Sequence, residues 1–169
     1  MSRFQRLYYG NAVYHVVFRG NNRQNILKSK TDKCDLLKSI QKFQERKGFK
    51  VYGFVLMDNH AHMVIEVDEI NNISKIMHAI LLSFSVKYRR KYPYVGHVWQ
   101  GRFKSKPIME EKYILECLDY IHNNPVRAEM IENPNDYIYS SARFYQGLSN
   151  KEVYQWVALT KYGDTSVTS

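Results

Sequence analysis

At 169 residues, with 44% hydrophobic and 24% charged side chains, the chain has the composition of one globular domain able to bury a core without staples, which excludes a disordered chain or a disulfide-held miniprotein. The first residues do not read as a charged-then-apolar leader and no apolar run approaches a membrane span, so a cytoplasmic chain without a membrane partner is expected. The net charge of +9 is concentrated: between Ile70 and Met109 there is no Asp or Glu, while Lys75, Lys87, Arg89, Arg90, Lys91, Arg102, Lys104 and Lys106 are all cationic. Such a segment is the footprint of a protein that meets a polyanion, with a solvated basic helix face as the plainer alternative.

Residues Ala12 to Arg19 alternate well enough for a β-strand, which Gly20-Asn21-Asn22-Arg23 ends in a turn. A helix follows, capped by Thr31 or Asp32 and running to about Lys47, with Leu36, Ile40 and Phe43 on its buried stripe and Gly48 as its stop. Phe49 to Met57 reads as a second strand, Asp58-Asn59 as a two-residue hairpin connection, and His60 to Val67 as a third strand pairing back antiparallel. In that strand Ala61, Met63, Ile65 and Val67 form an apolar face for the helices, which leaves His60, His62, Val64 and Glu66 on the other.

A second helix from about Asn72 to Tyr88 or beyond carries Ile73, Ile76, Met77, Ile80, Leu81 and Phe84 at helical spacing. After Pro93, Gly96 to Ile108 reads as a fourth strand separating Gln100, Arg102, Lys104 and Lys106 from Trp99 and Phe103. Glu110 to about Asn123 is a third helix, and Pro125 to Gly147 holds one or two short ones. Beyond Ser149 the pattern weakens, and Thr165 to Ser169 reads as a frayed end. Cys34 and Cys117, both in predicted helices and without metal-type spacing, read as reduced thiols.

The order strand, helix, strand, strand, helix, strand predicts an α+β fold: a ferredoxin-like (RRM-like) sandwich with a four-stranded antiparallel sheet, helices on one face, the other face left for a ligand, and a C-terminal helical extension. One domain is expected over 1–149, including the extension from about 125, followed by a tail over 150–169.

His60 and His62 lie two apart in a strand, so both imidazoles project from one side. Two neutral imidazole nitrogens held by rigid backbone make half of a divalent-metal site. On a helix with ~3.6 residues per turn, Tyr120 and Asn124 lie one above the other beside an apolar stripe of Ile114, Leu118 and Ile121. Packing on that stripe leaves a phenol and an amide on the flank, able to face the histidines. Because a residue before proline is pushed away from the helical region, Asn124 reads equally as the cap of a new helix starting at Pro125 or as a metal ligand.

Glu66 shares the histidine face and is a candidate to orient an imidazole, with a merely solvated carboxylate as the plainer reading. Arg102, Lys104 and Lys106, and next Arg23 and Arg19, are candidate contacts to a nucleic-acid backbone, against the alternative of an edge strand guarded by lysines. Tyr8, Tyr9, Tyr88, Tyr92 and Trp99 are available to stack on unpaired bases, and none stands out among fourteen tyrosines. His15, His78, His97 and His122 read as surface or core histidines.

Four segments, LMDNHAHMVIE, WQGRFKSKPI, LDYIHNNPVRAEMI and DYIYSSARFYQG, resemble in order and spacing the single-tyrosine HUH transposases, especially the branch associated with repetitive extragenic palindromes. The resemblance spans about residues 1–147 and implies a ferredoxin-like catalytic domain in which His60 and His62 are the paired metal-binding histidines, Tyr120 the nucleophile and Asn124 the polar residue that completes the metal site. Many members have Pro-Asn-His-Val-His where this chain has Asp58-Asn59-His60-Ala61-His62, and neither change removes a ligand.

The implied reaction is transesterification of single-stranded or hairpin DNA: the Tyr120 oxygen attacks a phosphodiester, forming a 5′-phosphotyrosyl link and freeing a 3′-hydroxyl for later strand transfer. A phenol with an ordinary pKa near ~10 needs assistance at neutral pH. The implied cofactor is Mg²⁺ or Mn²⁺, with Mn²⁺ better suited to imidazoles by ligand softness. Members of the family build the site within one chain or by exchanging the tyrosine helix across a homodimer, and the implied location is the cytoplasm, at the nucleoid. Two further readings use the same residues: a non-catalytic single-stranded nucleic-acid-binding module, and a metal-dependent phosphoesterase that uses water and leaves Tyr120 structural.

Overall fold

The structure, a computed structural model, describes residues 12–68 and 71–163. The expectations for Tyr8, Tyr9 and Thr165 to Ser169 lie outside the described residues. In chain order the principal elements are β1 (Ala12–Arg19), α1 (Lys30–Lys47), β2 (Lys50–Leu56), β3 (His60–Val67), α2 (Ile73–Lys91), β4 (Lys104–Ile108), α3 (Glu111–His122) and α4 (Asn124–Arg127), followed by one-turn helices α5 (Ala142–Tyr145) and α6 (Lys151–Tyr154). The sheet has the order β2-β3-β1-β4 with every neighbouring pair antiparallel, as the ferredoxin-like expectation requires.

Local chemistry fixes the ends of α1. Ser29, rather than Thr31 or Asp32, is its N-cap: the Ser29 hydroxyl accepts from the Asp32 backbone N–H, and the Asp32 carboxylate accepts from the Ser29 N–H. This reciprocal pairing satisfies two donors that the first turn would otherwise leave open. Gly48, in the left-handed region at φ 70°, ends the helix as its sequence position suggests. Asn72 caps α2, accepting from the Ser74 and Lys75 N–H groups.

The main core lies between the sheet and the α1/α2 layer, where Val16, Phe18, Met63 and Ile65 meet Leu36, Ile40, Ile76, Ile80 and Phe84. The other face is not left bare. Helix α3 lies on part of it, with Ile114, Leu118 and Ile121 packed on Val13, Val55 and Val64 in a second core. Gly53 eases this approach: a β-carbon there would stand 2.4 Å from Leu118 Cδ2 and 3.1 Å from Ser141 Oγ, so any larger residue would force the Leu118 side chain to shift.

Two further expectations are corrected. Ladder pairing of β4 begins only at Lys104, because Gly96 and Gly101 take positive φ and interrupt the extended run. Residues 97–103 form an anchored loop in which Val98, Trp99 and Phe103 are buried and the Trp99 indole N–H donates to the Leu81 carbonyl. The chain after Ser149 is also more than a tail up to Gly163. Val153 and Val157 are buried in the main core, Leu159 bridges to Val51, and the Gln44 amide both donates to the Ala158 carbonyl and accepts from its N–H. These anchors fall in pieces too short for a periodicity to register.

Candidate active site

The sheet register gathers the candidate residues on the α3 side. Across the β1/β3 ladder Arg19 stands opposite His60, Val17 opposite His62 and His15 opposite Val64, while β4 sets Lys104 opposite Val17 and Lys106 opposite His15. Because side chains alternate along a strand, these residues share one face. The rings of His60 and His62 are 5.2 Å apart by their centroids, as the two-residue spacing predicts.

His15 corrects the reading of it as an ordinary surface or core histidine. Its Nε2 lies 3.0 Å from Nδ1 of His62, with ring centroids 5.2 Å apart and planes within 15°. That centroid separation is close to the longest a 3.0 Å nitrogen contact permits, so the rings meet end to end in nearly one plane. For Nε2 of His62 to offer its lone pair to a cation, Nδ1 must carry the hydrogen and donate it to His15. The Asn59 amide oxygen performs the same service for His60, accepting from Nδ1 at 2.6 Å. Both rings therefore have Nδ1 engaged and Nε2 available.

Burial keeps these imidazoles neutral. It pushes His62 down to about 3, with His15, His60, Arg127 and Arg19 adding to the effect, and lowers His60 and His15 as well, assisted by Arg19 and Lys106 respectively. Neutral imidazole is the form that binds a metal ion. Among the described residues no group of three or more His, Cys, Asp or Glu side chains is arranged to hold a metal, so a cation on His60 and His62 needs an oxygen from an amide or from a substrate.

Helix α3 supplies the phenol. Tyr120 is half exposed, with its ring centroid 6.0 Å from that of His62 and 6.2 Å from that of His15. The expected cap at Asn124 is not made. Asn124 is the first residue of α4, Asn123 occupies the capping position with its side-chain amide turned back to Asp119 rather than capping, and α3 and α4 are nearly continuous. Pro125 causes little disruption because it sits within the first turn, where a missing N–H costs nothing.

Tyr120, Asn124 and Arg127 consequently follow one another along one helical face. Arg127, absent from the expected site, lays its guanidinium 4.1 Å from the Tyr120 ring centroid and donates to the Tyr120 carbonyl at 2.8 Å and to Asn124 Oδ1 at 3.2 Å. The spacing i, i+4, i+7 in the sequence was the signal for it. Asn124 Nδ2, an N–H donor, is buried with no hydrogen-bond partner, which suits it to an acceptor from outside the chain such as a phosphate oxygen.

The remaining candidates divide. Glu66 is not beside an imidazole: it accepts from the Tyr52 hydroxyl and from Lys50 at 3.1 Å, toward the far end of β3. Arg19, Lys104 and Lys106 are exposed on the histidine face, whereas Arg102 projects from the 97–103 loop and Arg23 from the turn after β1. Asp58 has an unexpected role. Buried Lys33 on α1 donates to its carboxylate at 2.7 Å and also to the Leu27 carbonyl, so an ion pair pins the hairpin that carries Asn59 and His60.

Residues 8–124 match the family described as Transposase IS200 like. The chain belongs to that family. A REP-associated tyrosine transposase of Escherichia coli (strain K12) is 24% identical over 149 residues, covering 83% of this chain and 82% of its own length. A Haemophilus influenzae protein provisionally given the same name is 29% identical over 108 residues, 57% of this chain, and the chain spans only 61% of that relative. A solved REP-associated tyrosine transposase bound to a REP hairpin shares the fold, with a TM-score of 0.76 at 21% identity over 98% of this chain and 96% of the other. In this IS200-like transposase no helix among the described residues is long and apolar enough to cross a membrane.

Proposed function

We propose that this IS200-like transposase cleaves and rejoins single-stranded DNA next to a hairpin, using Tyr120 as nucleophile. The observation that carries the reading is the convergence of an exposed phenol and two neutral imidazoles on one surface, with 6.0 Å between the rings of Tyr120 and His62. In the forward step the Tyr120 oxygen attacks phosphorus and loses its proton, a 5′-phosphotyrosyl bond forms, and the bond to the 3′-oxygen breaks to leave a 3′-hydroxyl. An incoming 3′-hydroxyl reverses the step and transfers the strand, because the covalent bond conserves the phosphodiester's free energy.

A divalent cation fits the two neutral imidazoles, whose Nδ1 atoms are engaged and whose Nε2 atoms are left for a ligand bond, while Asn124 would join them only through Oδ1, the atom that Arg127 holds at 3.2 Å. His60, His62 and Asn124 would hold Mn²⁺ or Mg²⁺, which supplies charge stabilisation at a phosphate oxygen and at the leaving oxygen when bound. Arg127 orients the Tyr120 ring from its face. Lys104, Lys106 and Arg19 bracket the histidines with positive charge and suit the DNA backbone. The partner class is hairpin DNA, which the hairpin-bound relative supports, and a DNA partner in turn favours the nucleoid as the working location. Tyr120 and His62 approach within one chain, which supports a site completed in cis rather than by exchange of α3 across a dimer.

The deciding experiment incubates the protein with Mn²⁺ and short DNA hairpins bearing single-stranded ends, then resolves the products on a denaturing gel. The wild type should yield a protein–DNA adduct, and Tyr120→Phe should bind the hairpin without forming one. An adduct of normal yield from Tyr120→Phe removes the tyrosine from the mechanism. Cut DNA with no adduct selects the water-using phosphoesterase, and binding without cutting selects a recognition module. For the cis arrangement, mixing Tyr120→Phe with a His60→Ala/His62→Ala protein should restore no adduct.

A further inference from the structure

On the opposite side of the sheet from Tyr120, α2 and the 97–103 loop enclose an open cleft of about 490 Å³. Every residue lining it falls between Ser74 and Phe103, so the segment without a single acid folds into this one concavity. Its walls carry Lys75, Arg89 and Arg102, and its floor is apolar, made by Leu81, Leu82, Trp99 and Phe103. Leu82 is 53% exposed, so its side chain is open to whatever enters the cleft.

The floor is rigid. Trp99 is held by its bond to the Leu81 carbonyl and packs against Phe18 and Phe84 at ring separations of 5.2 and 5.1 Å. The loop is also joined to the catalytic edge of the sheet. Gln100 N–H donates to the Arg19 carbonyl at 2.9 Å, Gly20 bridges to Trp99, and Gly20 N–H donates to the Asn59 carbonyl at 2.8 Å, immediately before His60. These bonds tie one wall of the cleft to the strand ends that carry Arg19 and His60.

We infer that this cleft docks an unpaired nucleotide of the single-stranded DNA flanking the cleaved linkage, its base on the Leu82 floor and its phosphates on Lys75, Arg89 and Arg102. The inference rests on the proposed DNA-cleaving reading and adds a second point of attachment to it. Single-stranded DNA is the occupant that the composition selects: an apolar floor takes a base, three cations without a compensating carboxylate take a backbone, and about 490 Å³ is within the range of pockets that enclose small ligands. A protein segment would leave the three charges without partners unless it were acidic.

The test compares binding of a blunt hairpin with that of the same hairpin carrying a single-stranded extension, by fluorescence anisotropy at several salt concentrations, in wild type and in a Lys75→Glu/Leu82→Glu protein. In the wild type the extension should tighten binding by about tenfold or more. The variant should lose that gain while holding the blunt hairpin within about twofold, and the steepness of the salt dependence on extended DNA should fall by about one phosphate's worth or more. An extension carrying 5-iodouracil should crosslink to residues 74–103 in the wild type. An undiminished gain in the variant, crosslinks that map elsewhere, or equal losses for blunt and extended DNA would overturn the inference. Adduct formation by Tyr120 is read separately: an adduct with an intact gain in the variant sinks the cleft alone, and a lost gain without any adduct sinks the catalytic reading alone.

Discussion

His15 and His62 meet nitrogen to nitrogen at 3.0 Å in nearly one plane, so the imidazole proposed to hold a cation is itself held by a third imidazole from the neighbouring strand. His15 fixes the ring orientation of His62 and accepts its Nδ1 hydrogen, much as the Asn59 amide does for His60.

Replacing His15 with Phe should therefore weaken Mn²⁺ binding by about 10- to 100-fold, the usual cost of losing a partner that orients a metal-binding imidazole. His15→Gln, which keeps an acceptor, should recover part of it. Calorimetric titration of Mn²⁺ into the DNA-free proteins measures this directly, with circular dichroism as the check on folding. Unchanged affinity in His15→Phe would mean that the contact is only packing.

Arg127 touches the nucleophile's ring, its carbonyl and the Asn124 amide at once. Arg127→Leu should slow adduct formation about tenfold or more, by loosening the phenol and removing a positive charge from a site where phosphate must bind. Arg127→Lys keeps the charge without the planar fork and should remain impaired, since a compact ammonium cannot lie flat on the ring while bonding two oxygens. Single-turnover adduct kinetics at saturating hairpin distinguish these effects from weaker binding, and wild-type kinetics in Arg127→Lys would reduce the role to charge alone.

Gly53 lies under α3, where a single methyl group would collide with Leu118. Gly53→Ala is expected to cost about 1–3 kcal/mol by overpacking. Leu118 is itself buried, so relief of the collision is expected to lift α3, and Tyr120 with it, and adduct yield should fall more than hairpin affinity. Urea denaturation and the adduct assay together check the pair of effects. Loss of stability with full adduct yield would show that Leu118 repacks without moving the helix.

The elements that were legible in the sequence are those whose information is local. The two-residue histidine spacing, the Asp58-Asn59 connection and the apolar stripe of α2 each specify a structure within one stretch of chain, and each is present. His15 was illegible because its partner depends on the β1/β3 register, a pairing between residues 47 apart in sequence. Lys33 was hidden for the same reason: nothing near it in sequence announces that its amine reaches the hairpin, where it meets Asp58. Arg127 is the instructive omission. Its spacing from Tyr120 is helical, but a proline in between argued for a break that the nearly continuous α3 and α4 do not make.

Acid should destabilise this protein through histidines that the fold keeps neutral. His122 is buried with its Nε2 2.7 Å from the Ser141 hydroxyl, and burial pushes it down from 6.5 to about 4, only partly opposed by Asp119. Between those values the unfolded chain binds a proton that the folded chain refuses, so the stabilisation is complete above about 6.5 and drains away as pH falls toward 4. The slope approaches about 1.4 kcal/mol per pH unit for each such group. Urea denaturation across pH 7 to 4.5 should show this decline, and His122→Asn, which retains a polar partner for Ser141, should flatten it while lowering stability at pH 7. An identical pH slope in His122→Asn would assign the acid sensitivity to His62 and its neighbours, whose imidazoles are lowered in the same direction.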